Sequence, residues 1–108
     1  MKNKVHSSTI IYEIQRRSKK NPIFSKELER LFGVSDVKIR DAVHKARAKE
    51  KLPIGAENKG YFLARNKSEI LRTVASLRSR AMRCLEAADG IERGIKKHFH
   101  KNIQQELL

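Results

Sequence analysis

Residues 26–47 read KELERLFGVSDVKIRDAVHKAR: two helix-forming runs separated by Phe32-Gly33-Val34-Ser35. A continuous helix has no use for a glycine there, since Gly33 would cost about 1 kcal/mol relative to alanine in a helix interior. The same residue is well suited to a left-handed helix C-terminus, and Ser35 to the N-cap of the helix that follows, with Asp36 as a favourable first-turn charge. The stretch therefore predicts a helix, a sharp turn and a second helix over Asp36 to about Lys49. That second helix carries Ile39, Ala42, Val43 and Ala46 on one face and Lys38, Arg40, Asp41, His44, Lys45 and Arg47 on the other.

Working toward the N-terminus, Met1 to Ser7 reads as a polar, basic arm. Ser8 stands as the N-cap of a helix with Ile10, Ile11 and Ile14 at helical spacing, running to about Ser18. Lys19-Lys20-Asn21-Pro22 stops it and Ile23-Phe24 is a short extended piece. Ser25 is then read as the cap of the next helix, whose apolar face is Leu28, Leu31 and Phe32.

Toward the C-terminus the pattern changes to Leu52-Pro53-Ile54 and Tyr61-Phe62-Leu63-Ala64-Arg65, read as strands. Gly55 to Gly60 is read as the hairpin tip between them, and Tyr61 and Leu63 as cover for the helical core. Asn66-Lys67-Ser68-Glu69 has the form of a capping box. A long helix follows to about Ala88, with breakage near Asp89 to Gly94 and a loose basic tail beyond. Its positions Ile70, Val74, Leu77, Ala81, Cys84, Ala88, Ile91 and Ile95 alternate in steps of four and three, which is a heptad seam.

Composition narrows the function. Among 108 residues, 25 Lys and Arg outnumber 12 Asp and Glu, leaving +13, an excess that points to a polyanionic partner. The longest apolar runs are only a few residues, too short for a membrane span or the core of a secretion signal, and the single Cys84 makes no internal disulfide, so a cytoplasmic location is expected. With no tryptophan and six aromatic residues, platforms for stacking single-stranded bases are scarce, which favours a double-stranded target. His98-Phe99-His100 lacks a carboxylate or cysteine at metal-ligand spacing, Cys84 lies on an apolar helical face, and neither a phosphate-binding Gly-rich loop nor a catalytic Ser-His-acid order is present. No enzyme, cofactor or metal is expected.

Over roughly Ser8 to Arg65, with LERLFGVSDVKIRDAV and PIGAENKGYFLA carrying the match, the chain resembles the winged helix-turn-helix DNA-binding family. The resemblance implies a mainly α fold with a small β-hairpin (α+β): a winged domain over residues 1–65, then a C-terminal helix over 66–108 for dimerisation. It also implies that the third helix enters a DNA major groove. Only the first two turns of such a helix reach base edges. Asp36, Val37, Lys38 and Asp41 are thus the candidates for base contact, and Ser35, Arg40, His44, Lys45 and Arg47 for phosphate contact, with Asn58 and Lys59 at the wing tip.

Other roles stay open at this point: Asp36 as a first-turn charge, Val37 as packing on the second helix, and Asp41 as a partner of Lys45. The dimerisation candidates are Ile70, Val74, Leu77, Ala81, Cys84 and Ala88, although the seam could also fold back on its own domain. The function expected is a small sequence-specific transcriptional regulator. The alternative is an architectural, replication-initiation or genome-packaging subunit of a virus or mobile element.

Overall fold

The computed structural model describes residues 5–98. Their elements are, in chain order, α1 (Ser7–Gln15), β1 (Ile23–Phe24), α2 (Ser25–Phe32), α3 (Asp36–Ala48), β2 (Ile54–Glu57), β3 (Gly60–Leu63) and α4 (Lys67–His98). The described residues are thus mainly helical with one small antiparallel sheet, an α+β arrangement. The chain divides into two compact units, Met1–Thr73 and Val74–Leu108. The boundary falls inside α4 rather than at Arg65, because the first turns of that helix pack with the sheet.

The first unit is built around aliphatic side chains at helical spacing. Ile10, Ile11 and Ile14 of α1, Leu28 of α2 and Ile39, Ala42, Val43 and Ala46 of α3 are buried together with Ile23 and Ile54 of the sheet. Burial of each large aliphatic side chain stabilises the fold by roughly 1.5–3 kcal/mol relative to exposure. Phe32 and Val34 pack against this cluster from the α2–α3 turn. Leu31, expected on the same face, is 57% exposed: the two-turn α2 buries Leu28, with Phe32 one turn on, and Leu31 falls at the margin.

The turn between α2 and α3 has the expected chemistry. Gly33 is left-handed (φ 62, ψ 37) and its N–H donates to Glu29 O at 2.8 Å, closing α2. Ser35 is the N-cap of α3, its Oγ accepting from the Lys38 N–H at 3.2 Å. Two other caps differ from expectation. α1 starts at Ser7 after His6, which offers no side-chain cap bond, and it ends at Gln15 because Leu63 N–H takes the Arg17 carbonyl and ties the chain to β3. Ser25 is the first residue of α2 rather than its cap, which leaves its hydroxyl free to bond outside its own helix.

The sheet has three strands in the order β1-β3-β2, all antiparallel. Ile23-Phe24 is therefore a strand of the same sheet and not an isolated extended piece. Glu57 pairs with Gly60, so the tip is only Asn58-Lys59, both at positive φ (51 and 68), as the two-residue hairpin turn that matches strand twist requires. β2 accordingly starts at Ile54 and not at Leu52.

Gly55, read as part of the tip, lies within the ladder opposite Phe62, where a Cβ would fall 2.5 Å from the Phe62 Cζ and 3.1 Å from the Thr73 Oγ1. The missing side chain lets the ring lie flat on the strand, between β2 and the start of α4. Ile23, Ile54 and Tyr61 face the helical core from the other side of the sheet, while Leu63 is half-buried.

In α4, Asn66 Oδ1 accepts from Glu69 N at 2.9 Å and Glu69 Oε1 accepts from Arg65 N at 2.9 Å, the reciprocal bonds of a capping box reaching one residue further back than usual. The helix is continuous through Gly90 to His98. The expected break near Asp89 to Gly94 is absent, since two glycines weaken a helix but neither removes a hydrogen bond nor clashes as proline does. The expected tail beyond His98 and the first four residues of the N-terminal arm lie outside the described residues.

Two glycine substitutions should separate backbone strain from crowding. Gly33→Ala adds a methyl that meets nothing within 4 Å, so only the left-handed backbone opposes it, and urea denaturation should show a loss of about 1 kcal/mol. Gly55→Ala should lose more, about 2–3 kcal/mol, through collision with the Phe62 ring, and Phe62→Leu in the same chain should recover part of that loss.

Candidate nucleic-acid interface

α3 has thirteen residues, about 20 Å at 1.5 Å per residue. With Ile39, Ala42, Val43 and Ala46 committed to the core, Val37, Arg40, Asp41, His44, Lys45 and Ala48 form an unbroken exposed stripe on the opposite face. Lys38 is half-buried along its edge and Ser35 is exposed at its head. Val37 is 65% exposed, so packing on α2 is not its role. Among the described residues, Asp41 forms no ion pair with Lys45. A large aliphatic side chain held in water at the head of a cationic helix is costly unless something covers it.

Asp36 has another use. Its Oδ1 accepts from the Ser25 hydroxyl at 2.7 Å, and its Oδ2 faces Arg40 Nε at 2.9 Å. Both oxygens are engaged, so Asp36 joins the first residue of α2 to the first residue of α3 and sets the angle at which α3 leaves the turn. The Arg40 pair is largely exposed and contributes only a few tenths of a kcal/mol. The Ser25 bond is partly buried and is worth about 1 kcal/mol.

Arg47 is likewise a brace, half-buried, with its Nε donating to Ile54 O at 2.9 Å and holding β2 against α3. Both roles depend on residues distant in sequence, which helix periodicity alone does not reveal.

The hairpin tip lies beside the starts of α2 and α3. Lys59 O accepts from Ser25 N at 3.0 Å, and the Lys59 side chain shares a cleft of about 540 Å³ with Lys26, Arg40, Glu29 and Asp36. Three cations against two carboxylates leave this cleft with one net positive charge, adjoining the positive end of α2. Lys26 was not among the residues expected here. The signal that could have identified it was its place in the first turn of α2, directly after Ser25. Asn58 and Lys59 are exposed.

On α4, Val74 and Leu77 are half-buried, whereas Ile70, Ala81, Cys84, Ala88 and Ile91 are exposed, Ile91 by 75%. Among the described residues no three His, Cys, Asp or Glu side chains gather as a metal site would require, and no helix is long and apolar enough to cross a membrane. No protein-family model, curated protein or solved structure gives a significant match to this chain.

Removing the two braces should cost stability in proportion to the bonds lost. Ser25→Ala and Arg47→Ala should each lower unfolding free energy by about 1 kcal/mol or somewhat more, read by urea denaturation. Lys45→Ala, on the open stripe, should leave the same curve within about 0.5 kcal/mol.

Proposed function

We propose that this protein is a sequence-specific, double-stranded DNA-binding protein of winged helix-turn-helix type, acting as a small transcriptional regulator and as a dimer through α4. The observation that carries the reading is the exposed stripe from Val37 to Lys45 on a helix whose other face is fully used by the core. α1 and α2 brace that helix from behind, Gly33 and the Ser25–Asp36 bond set its direction, and a tight two-residue hairpin tip carrying Lys59 adjoins its N-terminal end. The element order helix, strand, helix, helix and hairpin, with the first strand joining the hairpin's sheet, also fits this class.

In this reading Val37, Lys38 and Asp41 approach base edges. Val37 meets a thymine methyl, Lys38 donates to guanine, and Asp41 accepts from a cytosine amino group. Ser35, Arg40, His44, Lys45, Asn58 and Lys59, joined by Lys26, hold phosphates and fix register. Asp36 and Arg47 support the geometry from within.

A second reading, an architectural, replication-initiation or packaging subunit, is favoured by the exposed arginines at 72, 78, 80 and 83 of α4, which add positive charge away from any base-reading position.

Titration of labelled duplexes at several salt concentrations decides between them. A regulator making six to eight phosphate contacts should lose affinity with a log–log slope of about −5 to −7 and prefer duplexes selected from a random pool by about a thousandfold or more. Lys38→Ala should change which duplexes are selected, and Lys45→Ala should weaken all of them alike. Equal affinity for every duplex would favour the architectural reading. Absence of salt-dependent binding would remove both.

A further inference from the structure

We propose that α4 binds the α4 of a second copy in antiparallel orientation, in the single register in which residue i faces residue 165 − i. This rests on the dimer part of the reading above and not on its DNA part. The second unit consists, where described, of one helix with exposed apolar side chains, among them Ile91 at 75%, Met82 and Leu85. Two glycines, Gly90 and Gly94, each remove about 1 kcal/mol of helix propensity from its last turns. Helical stability in such a segment comes from packing of its apolar face and not from propensity.

The seam residues identify the occupant. Positions 70, 74, 77, 81, 84, 88, 91 and 95 are symmetric about one midpoint, which 70 and 95, 74 and 91, 77 and 88, and 81 and 84 all share. An antiparallel pair in this register therefore has complete layers from end to end: Ile70 on Ile95, Val74 on Ile91, Leu77 on Ala88 and Ala81 on Cys84. The large Leu77 lies opposite the small Ala88. Parallel pairing would instead set Ala81, Cys84 and Ala88 each against itself, three small layers in succession with a void between the helices.

Charge selects the same orientation. Arg78, Arg80 and Arg83 form one block and Glu86, Asp89 and Glu92 the next. Parallel pairing stacks each block on its own copy. Antiparallel pairing instead lays the acidic block beside partner residues 73–79, and its own copy lies about 13 residues, roughly 20 Å, away along the axis. Arg78 and Glu92 each directly follow a seam residue and border the same edge, and that edge meets itself in an antiparallel pair. A copy of the same chain thus supplies both the apolar layers and the opposite charges.

The test uses two full-length variants in a Cys84→Ser background, one with Leu77→Cys and one with Ala88→Cys, each checked by circular dichroism for wild-type helicity. Under a mild oxidant each variant alone should stay uncrosslinked, because its cysteines are 11 residues out of register, far beyond the Cα separation of about 7 Å that a disulfide spans. The mixture should give a covalent dimer, and the untreated wild type should sediment at twice the chain mass. Crosslinking of either variant with itself would overturn the orientation. A mixture that yields no covalent dimer, or a monomeric wild type, would overturn the pairing. Because no DNA is present, failure here leaves the duplex titration as an independent test of the DNA reading.

Discussion

The geometry of the first unit depends on how the chain turns between α2 and α3 and on what prevents that turn from relaxing. Gly33 supplies the left-handed residue, Ser35 closes the first turn of α3, and the Ser25 hydroxyl reaches across to Asp36 so that the two helices are joined at their N-terminal ends as well as through the core. A hinge made of one glycine would leave α3 free to swing. Adding one partly buried hydrogen bond and the packing of Phe32 and Val34 beneath the turn makes it a fixed angle.

The sheet has a related purpose. Its core face adds Ile23, Ile54 and Tyr61 to the aliphatic cluster, and its outer face seats Phe62 over Gly55 and against the first turns of α4. The sheet therefore joins the start of α4 to the helices without using any of the exposed residues of α3. Arg47 extends the same scheme, since its bond to Ile54 O ties the C-terminal half of α3 to the strand that leads to Asn58 and Lys59. On the proposed function, the recognition helix and the wing tip are held by one framework, and a duplex would meet them as a preorganised pair rather than as two flexible parts.

The second unit follows a different logic. Its helix is exposed along most of its length and carries glycines, so its stability depends on a surface contributed from outside that helix. The symmetric seam and alternating charge blocks make a second copy of the same helix a self-consistent source of that surface.

Much of this was legible from residue order because it depends on neighbours within about one helical turn: the glycine turn, the Ser35 cap, the Asn66–Glu69 box, the buried face of α3 and the seam of α4. Periodicity and capping are short-range physics, and the chain carries them wherever it goes. Other features were decided by contacts between distant residues. Ser25 became a bridge to Asp36 instead of a cap, Arg47 became a strand brace, Leu31 was left outside the core, and Gly55 left the turn to make room for Phe62. Each of those outcomes depends on which side chain or carbonyl the tertiary fold places opposite, and no local pattern encodes a partner that lies several turns or a whole element away along the chain.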